Sequence, residues 1–246
     1  MKRTSQCAVL AACLALAAAA AAAGPRSKKP PALPRVTSRP AKERDAALAK
    51  IEARAKGVTS VKARFVQHRY APLFDDQDTR TGRLALLKPT FLRVVWDKPH
   101  NEEIVFDGKS FWEIKHNLKQ IIEWNVVRKK DLLRGRQNLD AGPFKLLAGV
   151  KAAELKRDYL IALVDDPRRP KDYLFILVPI RPRDRVEFVR LDVWIDRTLL
   201  LPVRIRFIKP NKEVETWTLK ELKVNAPVKA AAPKVPRGYK LIKNPA

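Results

Sequence analysis

The sequence predicts a mainly β chain, α+β in class, built on one large antiparallel sheet of about 11 strands that is curled or closed. Three observations predict it. Short runs with period-2 alternation follow one another from residue 61 to 224; Pro and an Asp-Gly pair punctuate them; and only two or three stretches carry helical spacing.

The first element, Ala41 to Lys56, reads as a helix. Glu43 and Asp45 lie near its start, Leu48, Ile51 and Ala55 recur at helical spacing, and Gly57 is a stop. Val61 to Tyr70 then alternates, with Val61, Ala63 and Phe65 set against polar neighbours. Gly82 to Leu87, Phe91 to Trp96, Glu103 to Phe106, Phe111 to Lys115 and Lys119 to Trp124 follow as strands. Pro89, Pro99 and Asp107-Gly108 separate them, and Asp-Gly between two apolar runs signals a type I′ hairpin, which needs positive φ. Residues 131 to 150 interrupt the series, and within them Gly142 to Gly149 reads as a short helix with Pro143 in its first turn. Tyr159 to Val164, Tyr173 to Pro179, Glu187 to Ile195, Pro202 to Ile208 and Val214 to Val224 complete the strands. Tyr173 to Pro179 is apolar on both parities, so both of its faces are shielded from water.

Composition bounds the rest. The 246 residues carry 51 Lys and Arg against 26 Asp and Glu, a formal +25, while 46% are apolar. An ordinary apolar share excludes a disordered polycation, and two Cys exclude a disulfide scaffold or a four-Cys zinc module. Met1-Lys2-Arg3, the Ala/Leu run of residues 8 to 23 and Ala21-Ala22-Ala23 have the layout of a cleaved secretory signal over residues 1–23, which makes the chain an exported one. Leu10-Ala11-Ala12-Cys13 also has the form of a lipoprotein-processing box, and lipidation of Cys13 is the alternative. Residues 24–40 and 226–246 are Pro-rich, basic and free of acids, as linker and tail segments are. Ten positive charges lie in these two segments and two in the first three residues, which leaves +13 on the domain of residues 41–225. A basic balance suggests nucleic acid or an anionic surface; export disfavours nucleic acid, so anionic lipid or polysaccharide is the charge-based alternative.

Catalytic constellations have no skeleton here. His68, His100 and His116 lack a partner at i+4, Gly108-Lys109-Ser110 lacks the first Gly of a phosphate loop, and no Gly-x-Ser-x-Gly elbow occurs. Asp75, Asp76 and Asp78, like Asp165-Asp166, fall in predicted loops as solvated charge or a weak cation site. The expectation is a protein that is no enzyme and holds neither cofactor nor metal. A curled sheet with so few helices poses a different problem: it closes around its own side chains, or it encloses a cavity for an apolar guest.

The order of motifs resembles the outer-membrane lipoprotein carrier family, the periplasmic carrier of the Lol system. Phe65-Val66-Gln67 is followed by Gly82-Arg83-Leu84 through Lys88-Pro89, then Trp96-Asp97-Lys98-Pro99, then Asp107-Gly108-Lys109-Ser110-Phe111-Trp112, Lys119-Gln120 and Pro143-Phe144. The resemblance covers about residues 45 to 225 and is densest from 61 to 148. It implies an incomplete β-barrel with helices as a lid over a hydrophobic cavity that holds the acyl chains of lipoproteins. It implies, as partners, acylated lipoproteins and an inner-membrane ABC-type lipoprotein-releasing complex, with room for an outer-membrane lipoprotein receptor, and a monomeric chain. A receptor or envelope-stress sensor of the same fold, anchored at the outer membrane, is the alternative that a lipidated Cys13 would favour.

On that basis Phe65, Leu84, Leu86, Leu92, Val94, Trp96 and Ile104 from the sheet, with Phe144 and Leu147 from the lid helix, are expected to line the cavity. Leu92, Val94 and Trp96 share one parity and therefore one face. The family carries an Arg before the Pro of this turn that bonds the lid; here the residue is Lys88, whose ammonium lacks the planar fork of a guanidinium. Lys88 is therefore either the lid latch or an exposed charge at a strand end. Arg83 and Arg93 are the other candidates for this role, but alternation puts Leu84, Leu86 and Lys88 on one face and Arg83 on the other.

Overall fold

The alternating runs become strands of a single twelve-stranded sheet in the computed structural model, which describes residues 37–125, 149 and 151–244. Cys13, most of the first Pro-rich segment, Phe144 and Leu147 lie outside the described residues. The strands are β1 Ser60–Ala71, β2 Asp76–Leu87, β3 Phe91–Trp96, β4 Glu102–Phe106, β5 Ser110–Lys115, β6 Gln120–Asn125, β7 Tyr159–Val164, β8 Asp172–Pro179, β9 Arg190–Asp196, β10 Pro202–Ile208, β11 Val214–Val224 and β12 Lys240–Asn244. Their order is β12-β6-β5-β4-β3-β2-β1-β11-β10-β9-β8-β7. Two meanders, β1 to β6 and β7 to β11, thus meet where β1 pairs antiparallel with β11. The sheet curls without closing, because its outermost strands β12 and β7 do not pair with each other.

Three features depart from the sequence expectation. β2 starts at Asp76, so Asp76 and Asp78 stand in a strand instead of a loop, bonded to Arg69 and Arg80 at 2.6 Å each. β12 arises from residues that read as a tail and pairs with β6 in parallel, Lys240 opposite Gln120. The β4–β5 turn takes three residues. Asp107 Oδ1 accepts from the Lys109 and Ser110 N–H groups, so that only Gly108, at φ +93°, enters the left-handed region and the type I′ form is not used.

Two α-helices are described. In α1, Ala41–Lys56, Pro40 precedes the first turn, Glu43 sits at the positive end of the helix dipole and Arg54 and Lys56 at the negative end. Gly57 closes it, its N–H donating to Arg54 O. The short α2, Ala152–Asp158, leads directly into β7. Asn225, at the end of β11, fastens the junction after α1: its carboxamide accepts from Thr59 N–H and donates to Gly57 O.

Apolar residues divide by parity between the two faces of the sheet. The inner face, toward α1, carries one continuous buried cluster drawn from β1, β2, β3, β7, β8, β9, β10 and β11, with Ala47 and Leu48 of α1 against it. On the outer face Phe91, Val105, Trp112, Ile114 and Ile121 form a second cluster that Val228 and Tyr239 cover. The segment of residues 226–239 therefore runs over this face before ending as β12. A third cluster, Ala162, Leu174, Ile176 and Trp194, shields the outer face of β7 to β9, as the double-parity apolar run of β8 required.

Candidate functional site

Strand register builds the site on the inner face. Phe65 stands opposite Gly82 and Gly82 opposite Trp96; Leu84 is opposite Val94 and Val94 opposite Ile104; Leu86 faces Leu92. All seven sheet residues expected to line a cavity thus share one face and one cluster, six of them buried and Ile104 half-buried. The chemistry of this row is that of a hydrocarbon surface, the indole N–H of Trp96 being the one polar group among the seven side chains. Gly82 supplies the space for Phe65, since a Cβ there would lie 2.5 Å from the Phe65 ring.

Lys88 sits at the rim, where β2 ends beneath the last turn of α1. Its Nζ donates to Ala55 O at 2.7 Å, a carbonyl that also accepts from Val58 N–H. Gly149, at φ +86°, lies against Ala55, and a Cβ there would stand 3.4 Å from Lys88 Nζ. Lys88 is part-buried, and desolvation holds its pKa below the ordinary lysine value. The side chain therefore ties sheet to helix rather than ending in solvent.

Along β1 the inner face changes character after Phe65. The next residues of the same parity are Gln67 and Arg69, and their neighbours across the sheet are Trp217 and Arg80, then Glu215 and Asp78. An aromatic triad marks the border: Phe65 lies 4.7 Å from Trp217 and 5.8 Å from Trp96, ring centre to ring centre. Both indoles aim their N–H groups to the polar side, Trp96 to Gln67 Oε1 at 2.7 Å and Trp217 to Glu215 Oε1 at 2.6 Å. Indoles take this orientation wherever one end meets apolar and the other polar surroundings. Gln67 Nε2 completes the link by donating to Glu215 Oε1 at 2.9 Å. Beyond it opens a cavity of about 300 Å³ lined by Gln67, Arg69, Asp78, Arg80, Lys209 and Glu213. Alternation carries a signal for this mouth, since Gln67 and Arg69 continue the parity of Phe65, but a reading confined to apolar residues passes over it.

Charges at this mouth are paired. Arg80 bonds Asp78 at 2.6 Å and holds its carboxyl below the usual range, against the opposing pull of burial. Burial, the largest single influence on Glu213, pushes its carboxyl up, but the 2.7 Å bond and charge of Lys209, with Arg69 and Asn211, together outweigh it and leave that carboxyl lowered too. Both groups bind protons less readily folded than unfolded, so the stability they contribute is complete above about pH 5 and is lost as pH falls through their lowered values. Asp78→Asn is expected to flatten the fall in urea midpoint between about pH 5 and pH 3; a slope equal to that of the unaltered chain would remove Asp78 from the acid limb.

Each histidine has one polar neighbour. His68 Nδ1 meets Thr79 Oγ1 at 2.8 Å, His116 Nδ1 meets Tyr239 Oη at 2.9 Å, and His100 lies 3.6 Å from Asp78. Among the described residues no group of three His, Cys, Asp or Glu is placed to hold a metal ion.

This geometry is that of a known family. The model of the outer membrane lipoprotein carrier protein LolA matches residues 56–234. The chain belongs to the LolA family. Within it, the chain is 33% identical over 107 residues to an outer-membrane lipoprotein carrier protein of Leptothrix cholodnii, a match that spans 44% of this chain and 45% of that protein. The chain thus spans less than half the length of that relative. Among solved structures, an uncharacterized conserved protein of Thermus thermophilus superposes with a TM-score of 0.50 at 13% identity, over 82% of this chain and 99% of its own. The fold is therefore that of the LolA-like incomplete barrel. The Mycobacterium tuberculosis lipoprotein LppX gives a TM-score of 0.40 at 12% identity, over 76% of this chain and 99% of its own.

Proposed function

We propose that this LolA-family chain is a periplasmic carrier that shields the acyl chains of lipoproteins against its inner face and transfers them from the inner to the outer membrane. It receives them from an inner-membrane ABC-type releasing complex and passes them to the outer membrane, where a lipoprotein receptor is the natural acceptor. The observation that carries the reading is the continuous apolar inner face under a helix fastened at its rim by Lys88. Family membership and the carrier named in Leptothrix cholodnii support it.

Each methylene buried is worth about 0.8 kcal/mol, so an acyl chain of roughly fourteen methylenes left in water would cost on the order of 11 kcal/mol. A cavity that only binds suffices to carry such a chain. Release needs an empty state that competes with the loaded one, and the inner face provides it: Phe65 and Val94 are 1% and 0% exposed as the protein stands. Opening displaces α1, which commits only Ala47 and Leu48 as fully buried residues. In this scheme the Lys88–Ala55 bond is the latch, and Leu84, Leu86, Leu92, Trp96 and Ile104 become the lining together with Phe65, Val94, Phe144 and Leu147.

Copurification from the periplasm tests the reading. Acylated lipoprotein is expected on the unaltered chain, and Lys88→Ala is expected to bind an apolar fluorescent dye about fivefold more tightly, because one hydrogen bond no longer holds the lid shut. A chain that carries no lipoprotein and binds no dye would overturn the function. Unchanged dye binding and unchanged lipoprotein transfer in Lys88→Ala would overturn the latch alone. An acylated Cys13 on the exported chain would replace the carrier by a membrane-anchored receptor or stress sensor.

A further inference from the structure

The outer face of β11, β1, β2 and β3 bears a patch that neither packing nor the inner face explains. Lys62 stands opposite Lys223 on one side and Ala85 on the other, and Ala85 is opposite Arg93. In the adjoining row Arg64 stands opposite Lys220 and Arg83, and Arg83 opposite Val95. Six cations thus fill two neighbouring rows across four strands. A register shift between Lys62 and Arg64, with Glu221 at φ +51° beside it, leaves a hollow of about 480 Å³. Lys62, Arg64, Arg83, Arg93 and Lys223 surround it, five cations against the one carboxylate of Glu221, and Ala85 is among its lining residues.

Like charges directly opposite one another on paired strands destabilise a sheet. Acidic neighbours relieve only part of this. Asp97 lies 3.2 Å from Arg64 and Glu103 lies 2.8 Å from Arg93, while Lys62, Arg83, Lys220 and Lys223 have no carboxylate partner among the described residues. An arrangement that costs the fold stability fits a surface whose counter-ion comes from outside. Guanidinium groups bind phosphate oxygens in pairs, lysines supply point charge, and the small Ala85 leaves depth for a headgroup to settle between them. No aromatic side chain lines the hollow for base stacking, and the patch is only four strands wide, roughly 14 Å, short for the phosphate rail of a polynucleotide.

We propose that this hollow is a docking site for the phosphate headgroups of an anionic phospholipid bilayer. Through it the outer face of the sheet meets the membrane and the inner face stays free. Docking of this kind is independent of what the inner face holds.

Flotation of the full chain with vesicles of phosphatidylcholine, alone or mixed with phosphatidylglycerol, tests it. Lys62→Gln/Arg83→Gln is compared with the charge-matched Lys50→Gln/Lys171→Gln, whose lysines are exposed elsewhere. The unaltered chain is expected to prefer the anionic vesicles, the patch variant to lose on the order of thirtyfold in that affinity, and the control to lose far less. The patch variant should melt at the same or a higher temperature, since like charges are relieved. Should it unfold, Lys62→Gln and Lys223→Gln singly are each expected to lose about fivefold. Equal losses in patch variant and control, or equal affinity for both vesicles, would overturn the site. So would inorganic phosphate binding that fully accounts for the patch without vesicle preference, or an oligonucleotide bound more tightly than the vesicles and lost in the same variant.

Discussion

Gly82→Ala is expected to destabilise the protein by about 3 kcal/mol and to lower its melting temperature by on the order of 10 °C. The added Cβ would lie 2.2 Å from Val95 O and 2.5 Å from Phe65 Cζ. Neither neighbour yields easily. Val95 belongs to β3, the strand paired with β2, and Phe65 is 1% exposed against Trp217 and Trp96. The backbone of Gly82 is not left-handed, so the effect is one of space and not of φ. Phe65→Leu separates the two contacts. Placed beside Gly82→Ala it is expected to recover the part due to the ring and leave the part due to the β3 carbonyl. Urea denaturation of the single and double variants reads both, and a Gly82→Ala chain within about 1 kcal/mol of its parent would show that β3 and the ring give way freely.

Asp192→Ala is expected to cost about 3 kcal/mol, at the lower end of the range for removing one partner of a buried ion pair. Asp192 is 0% exposed on the outer face of β9, accepting from Arg190 at 2.6 Å and from Arg206 at 2.5 and 2.9 Å. Without it, Arg206 would lose its carboxylate partner while still sharing the Trp194 ring with Arg204, each 5.2 Å from its centre. Burial and the neighbouring Arg169 and Arg206 already hold Arg204 below the ordinary arginine value. Both Arg190 and Arg206 keep about a quarter to a third of their surface in water, which limits the penalty. The variant should retain dye binding at temperatures where it stays folded, because Asp192 faces away from the inner cluster. Equal stability of Asp192→Ala and the unaltered chain in thermal denaturation would mean that the arginines find other partners.

Strands with one wet and one dry face were legible, because β-structure writes burial directly into alternation. Leu84 and Leu86, then Leu92, Val94 and Trp96, declare their common face by parity alone, and Tyr159–Val164 and Pro202–Ile208 were delimited to the residue. The first half of β2 was not, since Asp76 to Thr81 is polar on both parities and is held by ion pairs that only the register creates. β12 and α2 are too short for periodicity to speak. In the site, the shared face was readable, whereas the partner of Lys88 is a backbone carbonyl that no side-chain pattern can announce. The polar mouth was overlooked although its parity was visible, because Glu215 and Lys209 come from the far meander.

The junction of the two meanders governs how the chain must fold. Within each meander neighbouring strands are neighbours in sequence, so hairpins form by closing short loops. The joint is different, and so is the β12 edge: Val61 meets Val224 at the one and Gln120 meets Lys240 at the other, pairings that close loops of more than a hundred residues. Ordering entropy for such contacts is spent before they stabilise anything, and high contact order slows folding. During synthesis, β1 and β6 stand as open sheet edges until β11 and β12 emerge. Until then the first meander offers two unpaired edges and half of an apolar face to whatever is nearby, which makes that half of the chain the natural substrate for assistance in folding.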